Sequence, residues 1–392
     1  MSLLKVKVSA PGKVILHGEH SVMYGKFAIA GSLGLRTSMI VKEVKSNADL
    51  TINLHLPSVD FDQVLPLNLI KEHLIPSPNN TWDRPDVINH EKHLEKVDNC
   101  LHKILPGYGD LKSFKKNSLR GFFYILSGIF DGDLLNNSLD VTINSELTVG
   151  AGTGSSASCA VCVSAGFLQL LKLKKGIHNE EFSLEDKMMI SSWAFNCEKI
   201  MHGAPSGIDN SICTYGSLVG FTKGEKPVIP DYKINLRILL IDTKVSRQTK
   251  LLIEKVKTLR EWNTEAVNSV MDALGHLAKN AAEVMKNIAE EKEDADILYQ
   301  RLAELWNMNH CLLASLGVSH ASLEDVRASA LKHNLACKLT GAGGGGNAII
   351  LVPPQTENAT IEALINELVS KGYAVRNTQL GGSGVTLDYK VI

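Results

Sequence analysis

Val141-Thr142-Ile143-Asn144-Ser145-Glu146, followed by Gly150-Ala151-Gly152-Thr153-Gly154-Ser155-Ser156 and then by the run from Ala157 to Leu171, decides the fold class of this chain. The first stretch alternates apolar and polar residues, the period of a half-buried strand. The third is apolar nearly all round, which predicts a helix buried on every side. Between them, glycines remove side-chain obstruction and permit left-handed backbone, so that successive N–H groups can converge on an anion beside the positive end of the helix. A phosphate chain fits such a cradle, and a merely structural turn is the competing reading. Ser155 and Ser156 can supply a hydroxyl to a magnesium ion held by those phosphates. The loop lacks G-x-x-x-x-G-K-[ST], and no acidic residue follows in the dinucleotide-binding pattern, so the P-loop and Rossmann classes are disfavoured.

Downstream, Ser183 with Asp186 three residues on predicts a capped helix start. Leu184, Met188, Met189, Trp193, Cys197 and Ile200 recur at spacings of three and four, which predicts a buried stripe with Glu198 at its edge, facing a cleft. Glu198-Lys199-Ile200-Met201-His202-Gly203-Ala204-Pro205-Ser206-Gly207-Ile208-Asp209-Asn210 carries two carboxylates that can converge, Glu198 on a metal and Asp209 on a substrate hydroxyl. Asp209 alone serves equally as a helix cap. Upstream, Lys13 in Ala10-Pro11-Gly12-Lys13 reads either as a solvated charge on a turn or as a fixed positive charge in a pocket. Glu19 and His20 can bind a polyhydroxylated or carboxylated ligand. Near the C-terminus, Gly341-Ala342-Gly343-Gly344-Gly345-Gly346 lies between apolar strands, so a loop pressed against a ligand or another backbone is favoured over a linker.

The remainder reads as strands at Leu4 to Val8, Phe27 to Leu33, Thr37 to Val44, Ser217 to Thr222, Leu236 to Asp242 and Ala348 to Val352, with closing strands near Tyr373 to Thr378 and Val385 to Tyr389. Helices are expected from Gln248 to His333 and from Asn358 to Ser370. The stretch from Leu56 to Asn99, with Pro57, Pro66, Pro76, Pro78 and Pro85, reads as a long excursion with partial helix. Gly224, Pro227 and Pro230 mark the best domain boundary. At 392 residues the chain has room for two or three domains. Its formal net charge of -1 offers no basic field for nucleic acid or an anionic membrane. The most apolar run, Cys159 to Leu171, is too short to span a bilayer, and the N-terminus lacks the apolar core of a secretory signal. Cys 7 is odd and unpatterned, which fits a reducing cytoplasm, and Cys159 with Cys162 reads as two small buried thiols rather than a redox or zinc pair.

Pro11-Gly12-Lys13 with Gly18-Glu19-His20, the loop Gly150 to Ser156 and the loop Lys338 to Gly346 stand in the order of the three motifs of the GHMP small-molecule kinases, which this sequence resembles. Within them, His17-Gly18-Glu19-His20, His202 to Asn210 and Thr243-Lys244-Val245-Ser246-Arg247-Gln248-Thr249 resemble the mevalonate kinase family. Thr148, Val149 and Thr153 stand where that family usually has two prolines and a leucine, and Ala204 where many members have Asn. The resemblance implies a two-domain α+β/α-β fold: a ribosomal-protein-S5-like, ATP-binding N-terminal domain over 1–228, a ferredoxin-like C-terminal domain over 229–392, and the active-site cleft between them. It implies ATP-dependent phosphorylation of the C5 hydroxyl of (R)-mevalonate, with Mg2+, in a cytoplasmic homodimer inhibited by prenyl diphosphates. On the same resemblance, Asp209 takes the hydroxyl proton and Lys13 stabilises the transferring group. Gly150, Ala151, Gly152, Thr153, Gly154, Ser155, Ser156, Gly343 and Gly344 hold the nucleotide. Ser156 and Glu198 hold the metal, and Glu19, His20 and Thr249 contact mevalonate.

Overall fold

The computed structural model describes residues 3–46, 48–75, 81–203, 205–225, 227–246 and 248–388. Pro76, Pro78, Ala204, Arg247 and Tyr389 lie outside the described residues. β1 (Lys5–His17) and β2 (Ala28–Val44) form a long antiparallel pair, from Lys5 opposite Lys42 to His17 opposite Ile29, with register shifts between Pro11 and Lys13 and between Ile15 and His17. β1 runs well past its expected end at Val8, and β2 joins into one strand the two segments expected at Phe27 to Leu33 and Thr37 to Val44. β1 is buried almost continuously after Lys7, so the period-two signal vanishes where it is covered on both faces.

The expected excursion over 56–99 is more regular than its prolines suggest. β3 (Thr51–Leu56) and β4 (Phe61–Pro66) pair as a hairpin, followed by α1 (Leu67–His73) and α2 (His90–Ile104). β4 is the outermost strand, where Pro66 costs no ladder bond, and the same proline precedes the first turn of α1. α3 (Ser113–Ile129) and β5 (Ser138–Ser145) follow, β5 lying parallel to β3 and antiparallel to β2.

α4 (Ser155–Lys174) is the predicted buried helix, extended at both ends. By length and composition it can cross a membrane, unlike the shorter run read from sequence, but 78% of its most apolar 18-residue window is buried inside the protein. Two of its side chains reach strand carbonyls: Ser158 Oγ donates to Ala10 O at 2.8 Å, and Cys162 Sγ to Thr37 O at 2.9 Å. Both cysteines of the pair are free thiols, with Cys159 pushed up to about 11 by burial.

α5 (Leu184–His202) begins with the expected Ser183–Asp186 capping box. Its stripe is rotated from the one predicted. Leu184 and Met188 are 68% and 56% exposed, while Ile190, Trp193, Ala194 and Cys197 are buried. Gly128 and Gly121 on α3 are the cause: a side chain at either would collide with Trp193 or Cys197, so α5 seats those residues where α3 presents no Cβ.

α6 (Ile208–Tyr215) and β6 (Leu218–Phe221) complete the first half, β6 pairing with the start of β2. The second half comprises β7 (Leu236–Asp242), α7 (Thr249–Trp262), α8 (Thr264–Ala289), α9 (Ala295–Ser315), α10 (Ala321–Lys332), β8 (Cys337–Leu339), β9 (Asn347–Leu351), α11 (Asn358–Ser370), β10 (Ala374–Leu380) and β11 (Thr386–Leu387). The main strand path is β4-β3-β5-β2-β10-β7-β9-β8, with β1 beside β2 and β11 beside β1. This is a mixed α/β architecture. β2 joins its two halves through Leu33 opposite Leu380, and one core cluster draws Val14, Leu16 and Ile29 together with Leu236, Trp306 and Ile349.

Candidate active site

The turn after β5 takes the backbone the glycines allow: Gly150, Gly152 and Gly154 have φ of 79, 74 and 74 degrees. Alternating left-handed residues of this kind make a concave, N–H-rich surface. α4 then starts at Ser155 with Gly154 as its cap and no side chain capping its first turn, unlike α5. Its leading amides are therefore unclaimed by any capping side chain, as an anion site at a helix start requires.

Lys13 is brought to this loop by the register shift in β1. Its N–H donates to Thr153 O at 2.8 Å, and its side chain passes so close to Gly154 that an added Cβ there would lie 2.7 Å from Lys13 Cγ. Lys13 Nζ lies 2.9 Å from Asp209 Oδ1, the two side chains being 12% and 36% exposed. Asp209 sits in the first turn of α6, whose cap, Gly207, is left-handed and likewise gives no side-chain cap. Two uncapped helix starts thus meet around one ammonium.

Glu198, in the last turns of α5, is 4% exposed, and its Oε1 has no hydrogen-bond partner. Burial first, and then repulsion from Asp209, raises its carboxyl to about 8 against the pull of Lys13 and the Asn210 N–H. A buried acid kept neutral beside another carboxylate is a group waiting for a cation. Among the described residues no cluster of three or more His, Cys, Asp or Glu forms a ready-made cage. Magnesium keeps several waters and phosphate oxygens and needs only one or two protein ligands, so the unpartnered Glu198 oxygen fits it as a ligand.

A cavity of about 460 Å³ is lined by Lys13, Asp209, Thr249 and Gly150, Gly152 and Gly154 of the glycine loop, with Ser155 and Ser156, while Glu198 lies off its wall. Its apolar end is walled by Leu56, Val59, Phe114, Phe122 and Ile125, with Ser58 and Asn117 among them. These residues carry no motif, and nothing in their local pattern distinguishes them from ordinary core.

Seven residues expected at the site stand off the cavity wall: Ala151, Thr153 and Glu198, which adjoin residues that line it, and Glu19, His20, Gly343 and Gly344. Glu19 is fully buried against Lys338, and its other oxygen accepts from Asn309 Nδ2 at 3.2 Å. His20 holds a left-handed backbone (φ 59) with its Nε2 2.9 Å from Ala342 O. The Gly344 N–H is spent on Val318 O at 2.7 Å, and an added Cβ at Gly343 would strike that same carbonyl. The late glycine loop is therefore folded against its own half of the protein. It still reaches the central loop, since Asn347 Nδ2 donates to Ala151 O at 2.6 Å.

Two family models match the chain: the GHMP kinases N terminal domain over residues 122–217 and the GHMP kinases C terminal domain over 277–384. The mevalonate kinase of Candida albicans is 35% identical over 98% of this chain and 90% of its own length. That of Mus musculus is 34% identical over 97% and 94%. The fold matches the crystal structure of the L. major mevalonate kinase in complex with R-mevalonate, with a TM-score of 0.68 at 21% identity over 96% of each chain. It also matches the Methanococcus jannaschii mevalonate kinase, with a TM-score of 0.67 at 21% identity over 97% of this chain and 99% of that one. A two-domain GHMP kinase fold carries a full-length likeness to relatives from fungi and mammals, and the chain belongs to the mevalonate kinase family of the GHMP kinases.

Proposed function

We propose that this chain transfers the γ-phosphate of ATP to the C5 hydroxyl of (R)-mevalonate, giving 5-phosphomevalonate and ADP, in the route to isoprenoids and sterols. The observation that carries the proposal is the 2.9 Å contact between Lys13 Nζ and Asp209 Oδ1 on the wall of a cavity that the uncapped start of α4 also lines. Phosphoryl transfer asks a protein mainly for alignment and charge neutralisation. Asp209 orients the acceptor hydroxyl and takes its proton. Lys13 neutralises the attacking oxygen and the transferring phosphoryl group. Backbone amides of residues 150–156 hold the phosphates, and the apolar end of the cavity takes the base. Glu198 and Ser156 would hold Mg2+, which when bound supplies further positive charge to the phosphates.

His20 and Thr249 contact the acceptor in this reading, and Glu19 acts through its placement of His20. The family resemblance further supports a division into domains near 228, in the loop between β6 and β7. It also supports a homodimer, inhibition by prenyl diphosphates at the nucleotide site, and a cytoplasmic location. The test is an ADP-release assay with ATP and Mg2+ on mevalonate, phosphomevalonate, galactose and homoserine in parallel. Turnover is expected with mevalonate alone. Preference for another acceptor would overturn the substrate while leaving the fold intact.

A further inference from the structure

Glu19 and Lys338 lie 319 positions apart and are both wholly buried, their side chains 0% exposed. Burying an ion pair is expensive and persists only where the remaining polar atoms are also satisfied. Here they are. One Glu19 oxygen takes the ammonium, the other accepts from Asn309 Nδ2 at 3.2 Å, and Lys338 Nζ also donates to Leu339 O at 2.8 Å. Asn309 Oδ1 in turn lies 3.2 Å from His17 Nδ1. The node ties the end of β1, the middle of α9 and β8 at one point, none of it on the cavity wall.

Its position in the chain matters more than its energy. Glu19 directly precedes His20, whose left-handed backbone costs roughly 1–2 kcal/mol unless its surroundings impose it. Lys338 begins the segment that leads through Thr340, whose Oγ1 donates to Ile15 O at 2.7 Å, to Ala342. The carbonyl of Ala342 is the partner of His20 Nε2, at 2.9 Å. The same ion pair therefore fixes both sides of the His20–Ala342 contact. Five residues after Ala342, Asn347 grips Ala151 in the central glycine loop.

We propose that Lys338 and Asn309 are positioning residues for the acceptor alcohol: by holding the Glu19 carboxylate they set the His20 turn against the late glycine loop, so that Glu19 acts on the acceptor through His20 and not by touching it. The proposal rests on the acceptor and residue roles given above. Wild-type turnover with mevalonate tests those roles separately, since its absence would remove that reading before any variant is compared.

The experiment is a double-mutant cycle on Glu19→Gln and Lys338→Met, reading acceptor KM, kcat, the Kd of ADP and the melting temperature, with Asn309→Ala as an independent probe. Loss of a buried hydrogen bond to a charged group is expected to raise acceptor KM roughly ten- to a hundredfold in each single variant, with the Kd of ADP unchanged within about twofold. The double variant is expected to melt higher than Lys338→Met, because no unpaired charge stays buried, and to have an acceptor KM no worse than that of the worse single variant. Multiplying KM effects in the double variant would mean that Glu19 meets the acceptor without Lys338, and would overturn the proposal. An unaltered acceptor KM in Asn309→Ala would overturn it equally, including where Lys338→Met fails to fold.

Discussion

Lys13 Nζ and Asp209 Oδ1 stand 2.9 Å apart although one belongs to the first strand and the other to a helix that starts almost two hundred residues later. Each is presented by ordered backbone: Lys13 by its bond to Thr153 O, Asp209 by the first turn of α6. If Asp209 acts as base and Lys13 as charge stabiliser, the two work as one unit. Asp209→Asn is expected to lower kcat by roughly 10²–10⁴ while the Kd of ADP stays within a few-fold. The Lys13→Met, Asp209→Asn double variant is expected to be no slower than the worse single variant. Single-turnover rates with ADP titrations check both statements, and near-normal turnover in Asp209→Asn would remove its assigned role.

Glu198 offers a proton-linked test of metal binding. Its carboxyl is held near 8 in the metal-free protein by burial and by Asp209, so at pH 7 it is mostly protonated. A coordinating carboxylate must be ionised, so binding of Mg2+ with ADP at pH 7 is expected to release up to about one proton. Calorimetry in two buffers of different ionisation enthalpy measures this directly. Glu198→Gln should abolish the release and raise the magnesium requirement. The sign for stability follows from the same shift. Between about 4.5, where the unfolded carboxyl ionises, and about 8, the folded state holds a proton the unfolded state has lost, so Glu198 makes the metal-free protein less stable as pH rises through that window. Glu198→Gln should flatten that decline. Equal slopes in the two proteins would mean the carboxyl is ionised throughout.

The site was legible in sequence where its chemistry is local. Gly150 to Ser156, the helix behind it and the Ser183–Asp186 cap are consequences of neighbours a few residues apart. The convergence of Lys13, Glu198 and Asp209 came from family resemblance, because spacing alone leaves each of them a bland alternative. What escaped was tertiary. Leu184 and Met188 satisfy the helical period yet face outward, since glycines on α3 fix where α5 can approach. Val59 and Phe114 wall the cavity without any local mark. The carboxylate of Glu19 is committed to a lysine in the last quarter of the chain, and no window of sequence holds both partners.

Gly154 is where the central glycine loop and Lys13 share space. With φ of 74 degrees and Lys13 Cγ 2.7 Å from an added Cβ, Gly154→Ala imposes two penalties. Left-handed backbone costs an L-residue about 1–2 kcal/mol, and the methyl must displace the stem of Lys13. A lower melting temperature with at least a tenfold loss of kcat is expected, roughly the scale of a misplaced catalytic group. Gly150→Ala, where an added Cβ meets nothing within 4 Å, carries the backbone penalty alone. Its kcat should fall less than that of Gly154→Ala. Equal losses in the two would show that loop conformation, rather than the Lys13 contact, governs the rate.

His17 gives an acid-side counterpart. It is wholly buried, and desolvation together with the nearby Lys338 ammonium lowers its imidazole to about 3. An unfolded histidine titrates near 6.5, so between 6.5 and 3 the unfolded chain binds a proton that the folded protein refuses. Stability is therefore lost as pH falls through that window, at up to about 1.4 kcal/mol per pH unit for one such group. His90, His93 and His310 are lowered in the same direction, so total acid lability reports several groups at once. The difference between wild type and His17→Gln isolates one, because glutamine keeps a donor for Asn309 and cannot take the proton. Denaturant unfolding at a series of pH values from 7 to 4 is expected to show the two stabilities converging as pH falls, while parallel curves would mean that His17 is not held neutral by its burial.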